Sequence, residues 1–204
     1  MDERPSEHMQ AAIKVIRAAD PNFKISMAGN YHEEIQADLS DYCISSTNRM
    51  PIEVIRERKE KGFISTFYTS CTEIFPNAFT SSEYAELTWL PWHALYNGFD
   101  GYLRWDFNNW NANPTQDSRY GVFPAGDCFF VYPDNRSSIR FERLREGIQD
   151  FEKVQILRDK FTKSNEHNKL KQLQEIVDTF KIESLDGTNA HHYVNKAQEQ
   201  LNTF

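Results

Sequence analysis

The alternation of strand-like and helix-like runs constrains this chain most. Phe23–Gly29 alternates apolar and polar residues and ends at a glycine. Tyr42–Ser45 is a second, shorter strand. Phe63–Tyr68 is rich in β-branched and aromatic residues, and Gly101–Trp105 forms a fourth run. Between them the spacing predicts helices. Ser6–Ala19 carries Met9, Ala12, Ile13 and Ile16 three or four apart, with Ser6 as a cap and Asp20-Pro21 as a stop. Pro51 opens a charged helix to Lys61, ended by Gly62, and Ser82–Tyr96 is a helix that Pro91 should kink. Parallel strands need such crossovers, so this order predicts an α/β fold with a parallel sheet. The loops that follow the strands then gather at one end of the sheet, where functional residues belong.

Beyond Asp106 the pattern changes. A long aromatic and polar loop runs to Gly126, and Cys128–Tyr132 reads as one more short strand. Ser138–Phe161 is a long amphipathic helix with Phe141, Leu144, Ile148, Phe151 and Leu157 on one face. Lys169–Phe180 and His192–Leu201 read as packing helices. Charges from Arg140 to Asp150 fall at helical pair spacing and read as structural.

Composition narrows the function. The net charge of −7 argues against nucleic acid, which selects a basic face. No apolar run approaches the roughly 18 residues of a membrane span. Met1-Asp2-Glu3-Arg4-Pro5 lacks the apolar core of a secretory signal peptide. Cys43, Cys71 and Cys128 are too few and too scattered for a disulfide framework or a CxxC site, and each reads as a buried free thiol. His8, His32, His93, His167, His191 and His192 do not repeat at ligand spacing, apart from a solvated pair near the end. No metal and no cofactor is expected.

The strand ends hold the chemistry. The adjacent carboxylates Asp2 and Glu3 can divide acid and base roles, as paired carboxylates do in glycoside hydrolysis. They can equally be charges favoured at a helix N-terminus. After the Phe23–Gly29 run, Asn30 and His32 can hydrogen-bond a sugar and Tyr31 can stack on one, or the segment is a plain Gly-Asn turn. Tyr68 is either a donor to a substrate oxygen or a core tyrosine. Ser70 and Cys71 lack a nucleophile elbow, which argues against a serine or cysteine hydrolase. The stretch Asp100–Asn111 is dense in Trp, Asn and Asp. Aromatic faces suit the C–H face of a sugar, and amides and carboxylates suit its hydroxyls. Trp105 and Trp110 can instead be core. Gly126-Asp127 can reach the same cleft. Asn135-Arg136-Ser137 matches a glycosylation sequon, read here as chance.

Together these segments resemble one family. MDERP at 1–5, WLPWHALYNGFDGYLRWDFNNWN at 89–111, GDCFFVYPD at 126–134 and SIRFERLREGIQDFEKVQIL at 138–157 resemble the C-terminal part of the glycoside hydrolase family 123 type catalytic domain, also called domain of unknown function 4091. The resemblance covers residues 1 to 160. It implies exo-acting removal of a terminal β-linked N-acetylhexosamine, N-acetylgalactosamine in this family, by a retaining, substrate-assisted mechanism. On that basis Asp2 orients the 2-acetamido group and Glu3 is general acid, then base. Tyr68 holds the acetamido carbonyl, and Trp105, Asn109 and Trp110 shape the sugar subsite.

The resemblance also implies an α/β fold that is the C-terminal part of a (β/α)₈ TIM-type barrel. Family members carry the Asp-Glu pair at the end of the fourth strand, whereas here it stands at residues 2–3. A whole barrel takes about 250 residues. The expectation is an incomplete barrel of about strands 4/5 to 8 over residues 1–162, followed by C-terminal helices over 163–204. Its partners would be an oligosaccharide or glycoconjugate, and either a missing N-terminal half or a second copy of the chain. A periplasmic or extracellular enzyme is implied for the full-length family. The alternative is a non-catalytic carbohydrate-binding or structural fragment.

Overall fold

The structure is a computed structural model that describes residues 4–204. Asp2 and Glu3 therefore lie outside the described residues. The chain divides into two compact units, Met1–Thr69 with Asn97–Leu103, and Ser70–Tyr96 with Arg104–Phe204.

The first unit holds helix α1 (Ser6–Ala19), strand β1 (Ser26–Gly29), strand β2 (Asp41–Ser45), helix α2 (Ile52–Glu60) and strand β3 (Ile64–Thr69). Strand β4 (Gly101–Arg104) lies in it up to Leu103. The strands form one four-stranded parallel sheet in the order β1-β2-β3-β4. Met27 pairs with Tyr42, Cys43 with Thr66, and Ser45 with Tyr68. In β2, Tyr42 through Ser45 are all buried, as in a parallel strand covered on both faces. Helix α1 starts at Ser6, with Pro5 rather than Ser6 as its N-cap, and stops at Asp20 as Asp20-Pro21 predicts.

The charged helix α2 has an unexpected buried residue, Arg58. Its Nε donates to Ser65 Oγ at 2.9 Å and its Nη2 to the Ile64 carbonyl at 2.9 Å. Nη1 donates to the Gln36 carbonyl. The guanidinium also lies over the rings of Tyr42 and Phe63, at 5.6 and 5.5 Å. A buried cation is tolerable only with its donors satisfied, and here three acceptors from two segments supply them.

The second unit is mostly helical, with α3 (Ala85–Asn97, reaching the first unit at its last residue), α4 (Ile139–Lys163), α5 (His167–Val177) and α6 (Ala190–Leu201). Helix α3 continues through Pro91, which is buried. Its Trp92 stacks on Phe180 at 4.8 Å, and its His93 Nδ1 meets the Phe180 carbonyl at 2.8 Å. Ser138 caps α4 and accepts from the Phe141 amide at 3.2 Å.

Two sequence expectations need correction here. The buried stripe of α4 is Arg140, Leu144, Gly147, Phe151, Val154, Leu157 and Phe161, while Ile148 is exposed. The stripe is set by close approach to α3: a Cβ at Gly147 would stand 2.6 Å from the Thr88 carbonyl oxygen. Cys128–Tyr132 is not a strand. It makes only isolated antiparallel bridges, Asn108 with Phe129 and Tyr132 with Arg136. Its burial comes from packing of Cys128, Phe129 and Phe130, not from a ladder.

Candidate functional site

Parallel topology carries the residues after β1, β2 and β3 to one end of the sheet. In the first unit Asn30 and Tyr31 directly follow β1, and Tyr68 lies within β3, one residue before its end. Tyr42, wholly buried on β2, organises the turn after β1. Its hydroxyl donates to the Asn30 carbonyl at 2.5 Å and accepts from the His32 amide at 2.9 Å. Asn30 Oδ1 accepts from Asn48 Nδ2 at 2.7 Å. The Tyr31 ring is 6.2 Å from that of Tyr42. Burial pushes the Tyr42 phenol up to about 12, against the His32 amide, which lowers it. Burial, then the Glu33 charge, also raises Tyr31. Both phenols keep their protons at neutral pH and remain donors. Tyr68 is buried at 4 % exposure, and its carbonyl accepts from the Ser46 amide at 2.9 Å.

Trp105, Asn109, Trp110 and Asp127 belong to the second unit, so the sequence-derived residues fall into two groups. The second group is built around a buried ion pair. Asp127 is wholly buried, and its Oδ1 accepts from Arg104 Nη2. Oδ1 also accepts from the Trp105 indole at 3.2 Å. Oδ2 has no partner among the described residues. Burial pushes the Asp127 carboxyl up, opposed by the Arg104 charge and the two donors. Asp127 therefore faces inward and fixes the Trp105 ring, which also packs 5.1 Å from Phe123.

The pair continues into residues the sequence gave no reason to single out. Arg104 Nη1 donates to Asn77 Oδ1 at 2.8 Å. Asn77 Nδ2 donates to the Ser70 and Glu73 carbonyls at 2.7 and 2.6 Å, and its amide donates to Glu86 Oε2 at 2.6 Å. Glu86, in the first turn of α3, is 2 % exposed. Arg140 then closes the loops: Nη1 donates to the Ala78 and Gly126 carbonyls at 2.5 and 2.7 Å, and Nη2 to Phe129 at 2.8 Å. The only sequence signal was polar residues in otherwise apolar surroundings, such as Glu86 ahead of Leu87-Thr88-Trp89-Leu90.

Burial pushes Glu86 up to about 7 from an ordinary 4.5, although the Asn77 and Glu83 backbone bonds lower it. Between those values the folded chain keeps a proton that the unfolded chain has released. Stability therefore falls as pH rises from about 4.5 to about 7 and then levels. Glu86→Gln is expected to flatten this slope, leaving the variant better placed relative to the parent at pH 8 than at pH 5. Urea midpoints at the two pH values measure it, and parallel shifts would contradict it.

At the surface, Asn109 Nδ2 donates to Asp106 Oδ2 at 3.0 Å, and the Asn109 amide donates to the Cys128 carbonyl at 3.1 Å. Trp110 Nε1 donates to the Val131 carbonyl at 2.9 Å. Among the thiols, burial pushes Cys43 up to about 11 and Cys128 up to about 12. Cys71 is exposed, which corrects the expectation of three buried thiols. Its place in the turn after β3 explains this: Ser70 and Thr72 are tied to Glu73 and turn the intervening residue outward. Among the described residues no group of His, Cys, Asp or Glu is placed to hold a metal ion, and no helix is long and apolar enough to cross a membrane.

These features define an α/β protein with a parallel four-stranded sheet and polar, aromatic strand-end loops, consistent with part of a TIM-like domain. The chain belongs to the family of glycoside hydrolase 123, catalytic domain, whose sequence model matches residues 1–157. A family 123 glycoside hydrolase from Clostridium perfringens, solved to detail glycolipid glycan hydrolysis, has the same fold with a TM-score of 0.88 at 24% identity. The likeness covers 100% of this chain and 40% of that one, so the chain spans about two fifths of that relative's length. No curated protein matches the chain.

Proposed function

We propose that this chain is the C-terminal part of the catalytic domain of a glycoside hydrolase that removes a terminal β-linked N-acetylhexosamine, N-acetylgalactosamine by family resemblance. The reading assigns residues 1–162 to that domain and 163–204 to a helical extension. The reaction is retaining and substrate-assisted. The 2-acetamido oxygen attacks the anomeric carbon while Glu3 protonates the departing glycosidic oxygen. Asp2 holds the acetamide N–H as the cyclic intermediate forms. Glu3 then takes a proton from water as the water opens that intermediate. Asn30, Tyr31 and Tyr68 supply hydrogen bonds and Tyr31 a ring face. Trp105, Asn109 and Trp110 bound the sugar, and Asp127 acts at one remove by holding the Trp105 indole.

The observation that carries this reading is the extent of the family match. Residues 1–157 include both the Asp2-Glu3 pair and the Trp- and Asn-rich segment after β4. The test is nitrophenol release from an aryl N-acetyl-β-galactosaminide, by this chain and by a form extended upstream with further barrel strands. Glu3→Gln is expected to lower kcat by roughly 10²–10⁴-fold, the range for a lost acid–base group. Undiminished turnover in that variant, or none in the extended form, overturns the proposal.

A further inference from the structure

Helix α6 is capped from a distance. The first N–H groups of a helix have no partner within it. Asn189, the N-cap of α6, does not supply one with its side chain. Its Nδ2 donates to the Ser184 carbonyl at 3.0 Å, and its Oδ1 accepts from the Asp186 amide at 3.2 Å. The acceptor is Glu83 instead, 107 residues before Ala190. Its Oε2 accepts from the Ala190 amide at 2.9 Å and its Oε1 from the His191 amide at 3.0 Å. The His191 imidazole Nδ1 meets the same Oε1. A carboxylate there also suits the positive end of the helix.

A second contact fixes the turn ahead of α6 to the same loop. Asp186 Oδ1 accepts from the Thr188 amide and hydroxyl at 2.8 and 2.9 Å, which closes the turn around Gly187. Gly187 has φ of +84°, and a Cβ there would stand 2.9 Å from Phe75 Cδ1, so the turn lies directly on the Phe75 ring. Tyr193 Oη donates back to the Ser184 carbonyl at 3.3 Å and fastens the turn to α6. Residues 184–191 thus grip loop 70–84 at its middle and near its end. Within the loop, the Glu83 carbonyl accepts from the Glu86 amide at 2.9 Å, and the Glu86 carboxylate accepts from the Asn77 amide. Asn77 in turn meets Arg104, and Arg104 meets the Asp127 carboxylate that holds the Trp105 indole. The match to the family ends at residue 157, so the grip comes from a segment beyond it and acts on a loop within it.

We infer that residues 184–191 are a strap that holds loop 70–84, and through Asn77 the ion pair behind Trp105, in one position. Coupling between two places is reciprocal, so the loop orders the start of α6 as much as the strap orders the loop. That Trp105 faces a sugar rests on the hydrolase reading. The strap does not, and its test needs no turnover. Hydrogen exchange on the full chain compares the parent with Glu83→Ala and Gly187→Ala. Both variants should speed exchange at the start of α6 and in loop 70–84 together, by roughly three- to thirtyfold, the scale of one lost helix cap. Glu83→Gln, which keeps an acceptor, should do so by less, and β1, β2 and β3 should exchange as in the parent. With fluorotryptophan incorporated, the Trp105 fluorine resonance, assigned by Trp105→Phe, should move in Glu83→Ala and Gly187→Ala while that of Trp110 stays. Faster exchange at α6 alone would make Glu83 a local cap, and faster exchange throughout the chain would make it a general stabiliser. Either result overturns the inference, as does a Trp105 resonance that does not move.

Discussion

Arg104→Met is expected to destabilise the chain by about 3–5 kcal/mol, the usual cost of stripping one partner from a buried ion pair. Asp127 is wholly buried and Arg104 is 7 % exposed, so water cannot replace what is lost. Asn77 Oδ1 loses the Arg104 donor at the same time. Burial already raises the Asp127 carboxyl, and loss of the cation removes the main influence opposing it. The variant should therefore lose further stability as pH rises, because a carboxyl with a raised value binds more protons folded than unfolded. Converting both partners, Arg104→Met with Asp127→Leu, should recover most of the loss, since an apolar pair of similar volume is often neutral. The Trp105 indole would then lack its acceptor, a residual cost of about 1 kcal/mol. Urea unfolding at pH 6 and pH 8 measures all three proteins. A loss below about 1 kcal/mol in Arg104→Met would mean that the pair is solvated and the buried network wrongly drawn.

The second large effect is expected at Gly126. Its φ is +84°, and an added Cβ would stand 2.7 Å from Arg140 Nη1 and 2.9 Å from both Cγ2 and the backbone nitrogen of Thr80. Neither neighbour can yield cheaply. Arg140 Nη1 is bonded to the Ala78 and Gly126 carbonyls, and the Thr80 amide donates to the Ala125 carbonyl at 2.8 Å. Left-handed backbone costs a non-glycine residue about 1–2 kcal/mol, and overpacking adds about 1–3, so Gly126→Ala should cost roughly 2–5 kcal/mol. Gly121 supplies the control. Its φ is +58°, but nothing lies within 4 Å of its Cβ position. Gly121→Ala should show the backbone cost alone. Thermal midpoints of the two variants separate the contributions, and equal shifts would contradict the crowding around Gly126.

The regular elements were legible because their signals are local. The Ser6–Ala19 helix, the four strands and the helix opened by Pro51 appear within a residue or a few of where periodicity and punctuation put them. Cys128–Tyr132 misled for a related reason. Five apolar residues in a row report burial, and burial there comes from side-chain packing without a partner strand. The α4 stripe misled because Gly147 and Arg140 face inward. A glycine is buried by close helix approach and an arginine by distant carbonyls, and neither has an apolar signature. The site divides the same way. Aromatic and amide enrichment drew attention to Trp105, Asn109 and Trp110. The partners that position such residues, Arg104 with Asp127 and Asn77 with Glu86, join positions that only the folded chain brings together.

Arg140 sets an order of events. It sits in the first turn of α4 yet shapes backbone as far back as Ala78, and again at Gly126 and Phe129. During synthesis every one of those carbonyls leaves the ribosome before the guanidinium that gathers them. These loops are thus completed retroactively, when a later helix docks and its arginine arrives.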